Sequence, residues 1–317
     1  MQAIKIRIET ESDGPHDDPG LTGLTELVER IGADGDRFLV VTGIPEDPGV
    51  FVQVWHEAGG DYQLEHRAGA PDRHFRTFVA TAAEVVAVMA RWVRQEADWD
   101  LGPVWKRLEF PVEEVPPLDP AIEEQLTGIV RNWLRAGYHG LATLVEEAED
   151  NLVADGVRPV SRAQAELLVN RLWRERVAEQ SGWSGETDPE RLGRAFAALE
   201  AAGITARENF ACCRGCGLAE IRGDGLPDAR GFVFFHSQCT EGAADGGDLY
   251  LLYGGFATSD GAADDAADDA ADEARTAAVG REVTAALDAV GLTWAWDGSA
   301  HDAIRVTGLD WRKRLTG

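Results

Sequence analysis

The first third of the chain alternates apolar and polar residues as half-buried strands do. At its start Ile4, Ile6 and Ile8 alternate with charged neighbours, and a period of two predicts a strand with one buried face. Further strands are predicted at the apolar runs 37–43, 50–57, 61–68, 74–80 and 104–110. Gly59 and Gly60 separate two of these runs and predict a hairpin.

Two amphipathic helices accompany these strands. The segment 21–32 places Leu24, Leu27, Val28 and Ile31 on one face. Thr81 and Glu84 form a capping box, and the helix that follows them has an apolar face of Val85, Val88, Met89 and Trp92. Residues 1–110 therefore predict a small α+β domain.

The next segments change from proline-rich to helical. Residues 111–120 contain four prolines, which neither extend a helix nor fit a central strand, so this segment is a predicted linker. Residues 121–203 predict a helical segment. Its start signals are Asp119 with Pro120, and its later helices begin at Ser161 and Thr187.

The last part, 204–317, predicts a second α+β domain. Paired strands are expected at 231–237 and 248–255, a helix at 273–291, and a closing hairpin near the C-terminal end. Before that helix, an acidic Ala/Asp repeat at 262–274 predicts a mobile spacer that becomes ordered near its C-terminal end, because aspartates four residues apart repel one another. The predicted fold class is α+β throughout.

The net charge of the chain favours some classes of binding partner over others. The 56 acidic and 30 basic side chains give a formal charge of −26. The negative electrostatic field disfavours binding to nucleic acid and to membrane surfaces, and it attracts a basic protein partner. The alternative is that the acidic residues serve only to keep the protein soluble. The start of the chain lacks the apolar core of a signal peptide, and no apolar run is long enough to span a bilayer. We expect a cytoplasmic protein.

All four cysteines lie in two short stretches, ENFACCRGCGLAEI and GFVFFHSQCT. Cys213 and Cys216 form a C-x2-C pair; after nineteen intervening residues, His236 and Cys239 form an H-x2-C pair. Structural zinc sites use two such close pairs, and the separation is in their usual range. Because a cytoplasmic setting disfavours structural disulfides, the spacing predicts a structural zinc knuckle.

Two other interpretations of this cluster stay open. The cysteines are also typical of small buried core residues, with His236 as a hydrogen-bonded histidine at a strand end. Alternatively, a Cys213 or Cys216 thiolate acts with His236 as an enzyme, or the cluster holds a catalytic metal with an open position. Neighbouring side chains of an extended chain point to opposite sides, so at most one of Cys212 and Cys213 is expected in any one pocket.

The phrases ENFxCCxxCGxAEI, FFHxQ and LDWRKR carry a resemblance to a known family. Over its C-terminal two thirds, the chain resembles an uncharacterised domain-of-unknown-function family found mainly in actinobacteria. The resemblance implies no activity. In that family an acidic residue usually occupies the position of Cys239. A carboxylate also ligates zinc, so a zinc site is compatible with an acidic residue at that position. The alternative is that the family has no tetrahedral metal site.

No other motif in the sequence indicates a particular class of enzyme. The sequence has no P-loop, no dinucleotide-binding glycine loop, no H-E-x-x-H helix and no nucleophile elbow. Ser299, His301 and Asp302 share one short loop, where a hydrophilic turn is expected rather than a catalytic relay. His66 and His74 flank a turn, and the alternation around them predicts partial burial in a sheet.

These observations predict a non-enzymatic binding or regulatory protein. Zinc held by Cys213, Cys216, His236 and Cys239 is expected to pin its C-terminal domain. One specific form is an immunity-like protein that masks a basic toxin, because an acidic surface complements a basic one. The alternative is an enzyme that uses the same cluster.

Overall fold

The computed structural model describes residues 3–111, 114–225, 227–256 and 266–316. Within these residues the chain has nine α-helices and two β-sheets, which confirms the predicted α+β class. The chain forms two compact units. The first contains the described residues of Met1–Glu123, Gly140–Val177 and Thr316–Gly317, and the second contains those of Glu124–His139 and Ala178–Leu315. The domain boundaries predicted at 110, 120 and 203 stay predictions.

The secondary structure follows the chain in two sets. The elements of residues 3–111 are β1 (Ile6–Thr10), β2 (His16–Asp17), α1 (Gly20–Arg30), β3 (Phe38–Gly43), β4 (Val50–Trp55), β5 (Tyr62–Ala68), β6 (His74–Val79), α2 (Ala82–Val93) and β7 (Lys106–Arg107). The later elements are α3 (Pro120–Ala136), α4 (Leu141–Asp150), α5 (Arg162–Ser181), α6 (Asp188–Ala201), β8 (Ile204–Arg207), α7 (Arg214–Asp224), β9 (Gly231–Phe234), α8 (Ser237–Ala244), β10 (Leu249–Gly255), α9 (Ala266–Ala289), β11 (Trp294–Ala295) and β12 (Ile304–Val306).

The sheet of the first unit is antiparallel, in the order β2-β1-β3-β4-β5-β6-β7. Its buried face packs against α1 and α2, whose Leu24, Val28 and Met89 share a core with Ile8 and Val52 of the sheet. The alternation of the sequence therefore identified the buried face. The predicted strand 104–110 is shorter in the structure, where β7 has two residues.

Helix starts follow the capping signals read from the sequence. The Thr81 hydroxyl accepts a hydrogen bond from the Glu84 amide, and the Glu84 carboxylate accepts one from the Thr81 amide. Asp119 Oδ1 accepts a hydrogen bond from the Ala121 amide at 2.9 Å, at the start of α3. These contacts satisfy amide groups that a helix leaves unpaired at its N-terminus.

The sheet of the second unit has the order β11-β12-β10-β9-β8. Strand β8 runs parallel to β9, and the other neighbours are antiparallel. Helices α6 and α9 cover one face, where Phe196 and Val283 pack with Val233. Helix α7 covers the other face, where Ile221 packs with Phe234. Because both faces are covered, all four residues of β9 are buried.

The local sequence pattern predicts neither a strand at 204–207 nor a helix at 214–224 or 237–244. Helix α7 contains Gly215, Gly217 and Gly223, and glycine disfavours a helix by about 1 kcal/mol per residue relative to alanine. Local propensity therefore does not indicate this helix, and its packing on β9 stabilises it.

Helix α9 includes part of the predicted acidic spacer. From Ala266 onward the Ala/Asp repeat is helical, and residues 257–265 lie outside the described residues. Within the described part of the chain, no helix is both long and apolar enough to cross a membrane. The cytoplasmic location stays a prediction.

Candidate functional site

The cysteine cluster lies at the carboxyl ends of the parallel strands β8 and β9. Each strand leads through a short loop into a helix, β8 into α7 and β9 into α8, so both helices start at the same edge of the sheet. The two loops are joined by hydrogen bonds: the Ser237 amide donates to the Ala211 carbonyl at 3.2 Å, and Ser237 Oγ donates to the Cys212 carbonyl at 3.1 Å. The Cys loop and the His236 loop are therefore neighbours.

The loop after β8 turns through two left-handed residues. Asn209 has φ 50° and Ala211 has φ 60°. Asparagine tolerates this conformation, whereas alanine loses about 1–2 kcal/mol in it. The Thr240 hydroxyl of α8 donates a hydrogen bond to Asn209 Oδ1 at 2.7 Å, which helps to hold the turn. Backbone strain of this kind clusters at functional sites.

Three thiols converge where this loop enters α7. The Sγ atoms of Cys212, Cys213 and Cys216 lie within 4.8 Å of one another, and those of Cys212 and Cys216 are 3.5 Å apart. All three are free thiols; Cys212 is exposed and the other two are partly exposed. Sulfur ligands of a tetrahedral zinc ion are about 3.8 Å apart, given Zn–S bonds of about 2.3 Å. The Cys212–Cys216 separation of 3.5 Å is close to that value.

The expectation that Cys212 and Cys213 cannot share a pocket is wrong. It assumed an extended chain, but residues 211–213 form bends and Ala211 is left-handed. The alternation of side chains applies only to extended backbone. Asn209 is the residue that indicates this turn in the sequence, because asparagine is enriched among residues of positive φ.

Two of the thiols differ in acidity. The pKa of Cys213 is lowered, first by the hydrogen bond from the backbone amide of Cys216 and then by contacts with the Cys216 and Cys212 thiols and the Gly215 amide. Hydrogen bonding to the Cys212 and Cys213 thiols raises the pKa of Cys216 to about 11. Cys213, as N-cap of α7, is thus the more acidic of the two thiols.

His236 and Cys239 form a separate contact at the start of α8. His236 is the N-cap residue of that helix, and its Nε2 lies 3.4 Å from Cys239 Sγ. Burial lowers the pKa of His236 and raises that of Cys239, so the pair is a neutral thiol beside a neutral imidazole. The Nδ1 atom of His236 is buried and has no hydrogen-bond partner among the described residues.

The structure thus brings the four predicted ligands together as two pairs, Cys213 with Cys216 and His236 with Cys239. The third member of the thiol group is Cys212, which does not belong to the ligand set predicted from the spacing. The four-ligand zinc knuckle stays a prediction.

Gly217 sets the distance between α7 and β9. A Cβ atom at this position would overlap the ring of Phe234, which is fully buried between Phe210 and Phe232. Only glycine therefore allows the turn that carries Cys216 to pack closely on the strand.

A partly buried polar contact anchors the start of the Cys loop, and no sequence pattern predicts it. Glu208 Oε2 accepts hydrogen bonds from Tyr138 Oη at 2.6 Å and from Lys313 Nζ at 3.0 Å. Burial, together with the nearby Glu208 charge, raises the pKa of Tyr138. The three residues are far apart in sequence, so no local pattern indicates the contact.

The remaining histidine candidates occupy ordinary structural positions. His301 lies in an exposed turn, with its Nε2 3.1 Å from Glu273 Oε1 and its amide bonded to Ser299 Oγ, as expected for a hydrophilic loop. His66 and His74 are buried in the sheet of the first unit.

The chain matches the sequence model of the family described as Domain of unknown function (DUF6891) over residues 119–315, more than half of its 317 residues. This range includes all the cysteines and His236. No curated protein and no solved structure matches the chain.

Proposed function

Since the chain belongs to the family described as Domain of unknown function (DUF6891), its activity has to be argued from its own residues, and we propose that it is a binding or regulatory protein with a zinc site at Cys212, Cys213 and Cys216. The observation that carries this proposal is the convergence of the three Sγ atoms within 4.8 Å.

The donor set suits zinc. Thiolate is the ligand that structural zinc sites use most, and a bound zinc ion displaces the protons of coordinating thiols, including the proton of Cys216. As fourth ligand we propose His236, because its buried Nδ1 has no partner among the described residues and its loop is hydrogen-bonded to Cys212 through Ser237. A buried polar atom without a partner destabilises the fold, and metal coordination would remove that penalty.

Zinc content of the purified protein tests the proposal. Elemental mass spectrometry of tag-free full-length protein, purified without chelator, is expected to find about one zinc per chain. Cys212→Ser and Cys216→Ser are expected to lose it, and Cys239→Ser is expected to keep it. The sequence-predicted ligand set gives the opposite pattern, in which Cys239→Ser loses zinc and Cys212→Ser retains it. Protein without zinc contradicts both.

A structural role for the metal predicts a stability effect. Removal of zinc with a chelator should lower the unfolding temperature of the wild type, because metal binding stabilises the folded state. The zinc-free Cys216→Ser variant serves as the control, and its unfolding temperature should not respond to chelator.

The charge supports a basic protein as partner. We propose that the net charge of −26 attracts such a protein, with neutralisation of a basic toxin as one form. In a pull-down with immobilised protein, recovery of basic partners is expected to fall sharply between about 0.05 M and about 0.5 M salt, because salt screens exposed charges. Recovery that does not change with salt, or recovery of acidic partners, contradicts the electrostatic basis.

A further inference from the structure

An open groove runs along helix α2 in the first unit. Its volume is about 1090 Å³, and it is lined by α2, by Thr25 and Glu29 of α1, and by the segment 101–103. All of these residues belong to the first unit. Pockets for small molecules measure about 300–1,000 Å³, so this groove has room for a segment of another protein.

The lining of the groove is largely apolar. Val86 and Val88 of α2 contribute to it, and Phe78 and Leu101 project into solvent beside them. Val104, which follows the lining segment directly, is also exposed. Single exposed apolar side chains are common on protein surfaces, but a group of them around a groove is typical of an interaction site.

The shape of the groove suits a helix. Helix α2 has 12 residues, which corresponds to a length of about 18 Å. Ala83 and Ala87 line the groove one turn apart and are exposed, so their short side chains allow the axis of a second helix to come within the usual distance of about 8–10 Å. Grooves of this kind bind the apolar face of an amphipathic helix.

Uncompensated carboxylates lie at the groove. Glu29 is exposed, and no ion pair of the described residues involves it. The Glu84 carboxylate accepts hydrogen bonds only from uncharged groups at the start of α2. Asp98 and Asp100, just before the lining segment, are exposed as well. Cations on the occupant would therefore meet carboxylates that the protein itself does not neutralise.

The two basic residues of the groove are already engaged. Arg94 Nη1 lies 3.8 Å from Glu96 Oε1, and Arg91 Nη2 donates a hydrogen bond of 2.9 Å to the Leu101 carbonyl. The second contact holds the segment 101–103 against α2. These arginines thus offset little of the negative charge around the groove.

We propose that the groove along α2 is the docking surface for a basic amphipathic helix of a protein partner. The apolar face of that helix packs on α2 and Leu101, and its cationic side chains pair with Glu29 and Glu84. This inference rests on the attraction of a basic partner proposed above, and it adds the place and the form of the contact.

Peptide binding tests the proposal. The probe is a fluorescein-labelled peptide of about 14 leucine and lysine residues, with the leucines at helical spacing so that they form one apolar face. A second peptide has the same composition in an order that forms no apolar face, and a third has glutamate in place of lysine. Fluorescence anisotropy with the full-length protein at about 0.15 M salt is expected to show at least about tenfold tighter binding of the first peptide than of the other two.

Matched substitutions locate the contact. Leu101→Ser should weaken binding of the first peptide about tenfold, whereas Leu167→Ser should change it by less than about twofold. These leucines are 60% and 59% exposed, and only Leu101 lies in the groove. Glu29→Gln should weaken binding about threefold. Glu124→Gln removes the same charge at an exposed position outside the groove and should have little effect.

The possible results separate this proposal from the attraction of a basic partner. Equal binding of the two basic peptides, or equal losses in the groove variants and their controls, overturns the groove and leaves the attraction by net charge intact. Absence of binding by both basic peptides overturns both proposals. Tighter binding of the glutamate peptide overturns the basic occupant. A wild-type dimer in sedimentation that Leu101→Ser abolishes shows that a second copy fills the groove, which also overturns the proposal.

Discussion

Replacement of Phe234 by alanine is expected to lower the free energy of unfolding by about 3–5 kcal/mol, the usual loss for a buried phenylalanine. The side chain is fully buried, and its ring centroid lies 5.8 Å from that of Phe210 and 6.0 Å from that of Phe232. The ring also supports Gly217, so its removal should loosen α7 and speed the alkylation of Cys216. Urea unfolding followed by circular dichroism measures the first effect, and thiol labelling measures the second.

A matched control and a second substitution make this prediction specific. Phe78 is 57% exposed, so Phe78→Ala should change the free energy of unfolding by less than about 1 kcal/mol. Gly217→Ala should destabilise the wild type because its Cβ meets the Phe234 ring. In the Phe234→Ala background the same change should be neutral or stabilising, because the space is open and alanine favours a helix. Additive effects would contradict the packing described here.

Acid is expected to destabilise the protein through His66. This side chain is 6% exposed; its ring stacks on Phe75 and meets the edges of Trp99 and Trp105. Burial, as the main cause, lowers its pKa from 6.5 to about 4, against a smaller opposite effect of Asp100. Between these two pH values the unfolded chain binds the proton more strongly than the folded chain does. Stability therefore falls as pH decreases from 6.5 towards 4.

The size of this effect follows from the pKa difference. One pKa unit corresponds to about 1.4 kcal/mol, so the full loss is about 3 kcal/mol below the folded-state pKa. His66→Phe keeps an aromatic ring and removes the charge, and its free energy of unfolding should depend less on pH between 6.5 and 4 by about that amount. His301→Phe is the control, because the His301 side chain is 74% exposed. A pH dependence unchanged in His66→Phe would show that another group is responsible.

The first unit illustrates what pattern reading can find. The alternation at Ile6 and Ile8 and the capping box of Thr81 and Glu84 are both predicted by the sequence, and the structure contains both. Each signal depends on residues a few positions apart, so the local backbone determines it. The hairpin that pairs β11 with β12 was found for the same reason.

The sequence predicts the candidate site less completely than it predicts the fold. The spacing of Cys213 and Cys216 identified a chemically distinct stretch, and the structure places the two thiols together. The predicted ligand set does not include Cys212, because a linear pattern does not show the left-handed turn at Ala211. The pairing of β8 with β9 was missed because β8 has only four residues and its partner lies beyond α7 in the sequence.

The sequence by itself determined the α+β class, most helix and strand positions, and the C-x-x-C spacing, because these depend on periodicity and on neighbours within one turn. The tertiary structure alone decided that three thiols converge, that Gly217 must lack a side chain beside Phe234, and that Glu208 holds Tyr138 and Lys313. The physical reason is that the contacts of Gly217 and Glu208 join residues from distant segments, whose proximity arises only when the sheet and its helices pack. The thiols are close in sequence, but they converge through the left-handed backbone at Ala211 and the start of α7, which periodicity does not show.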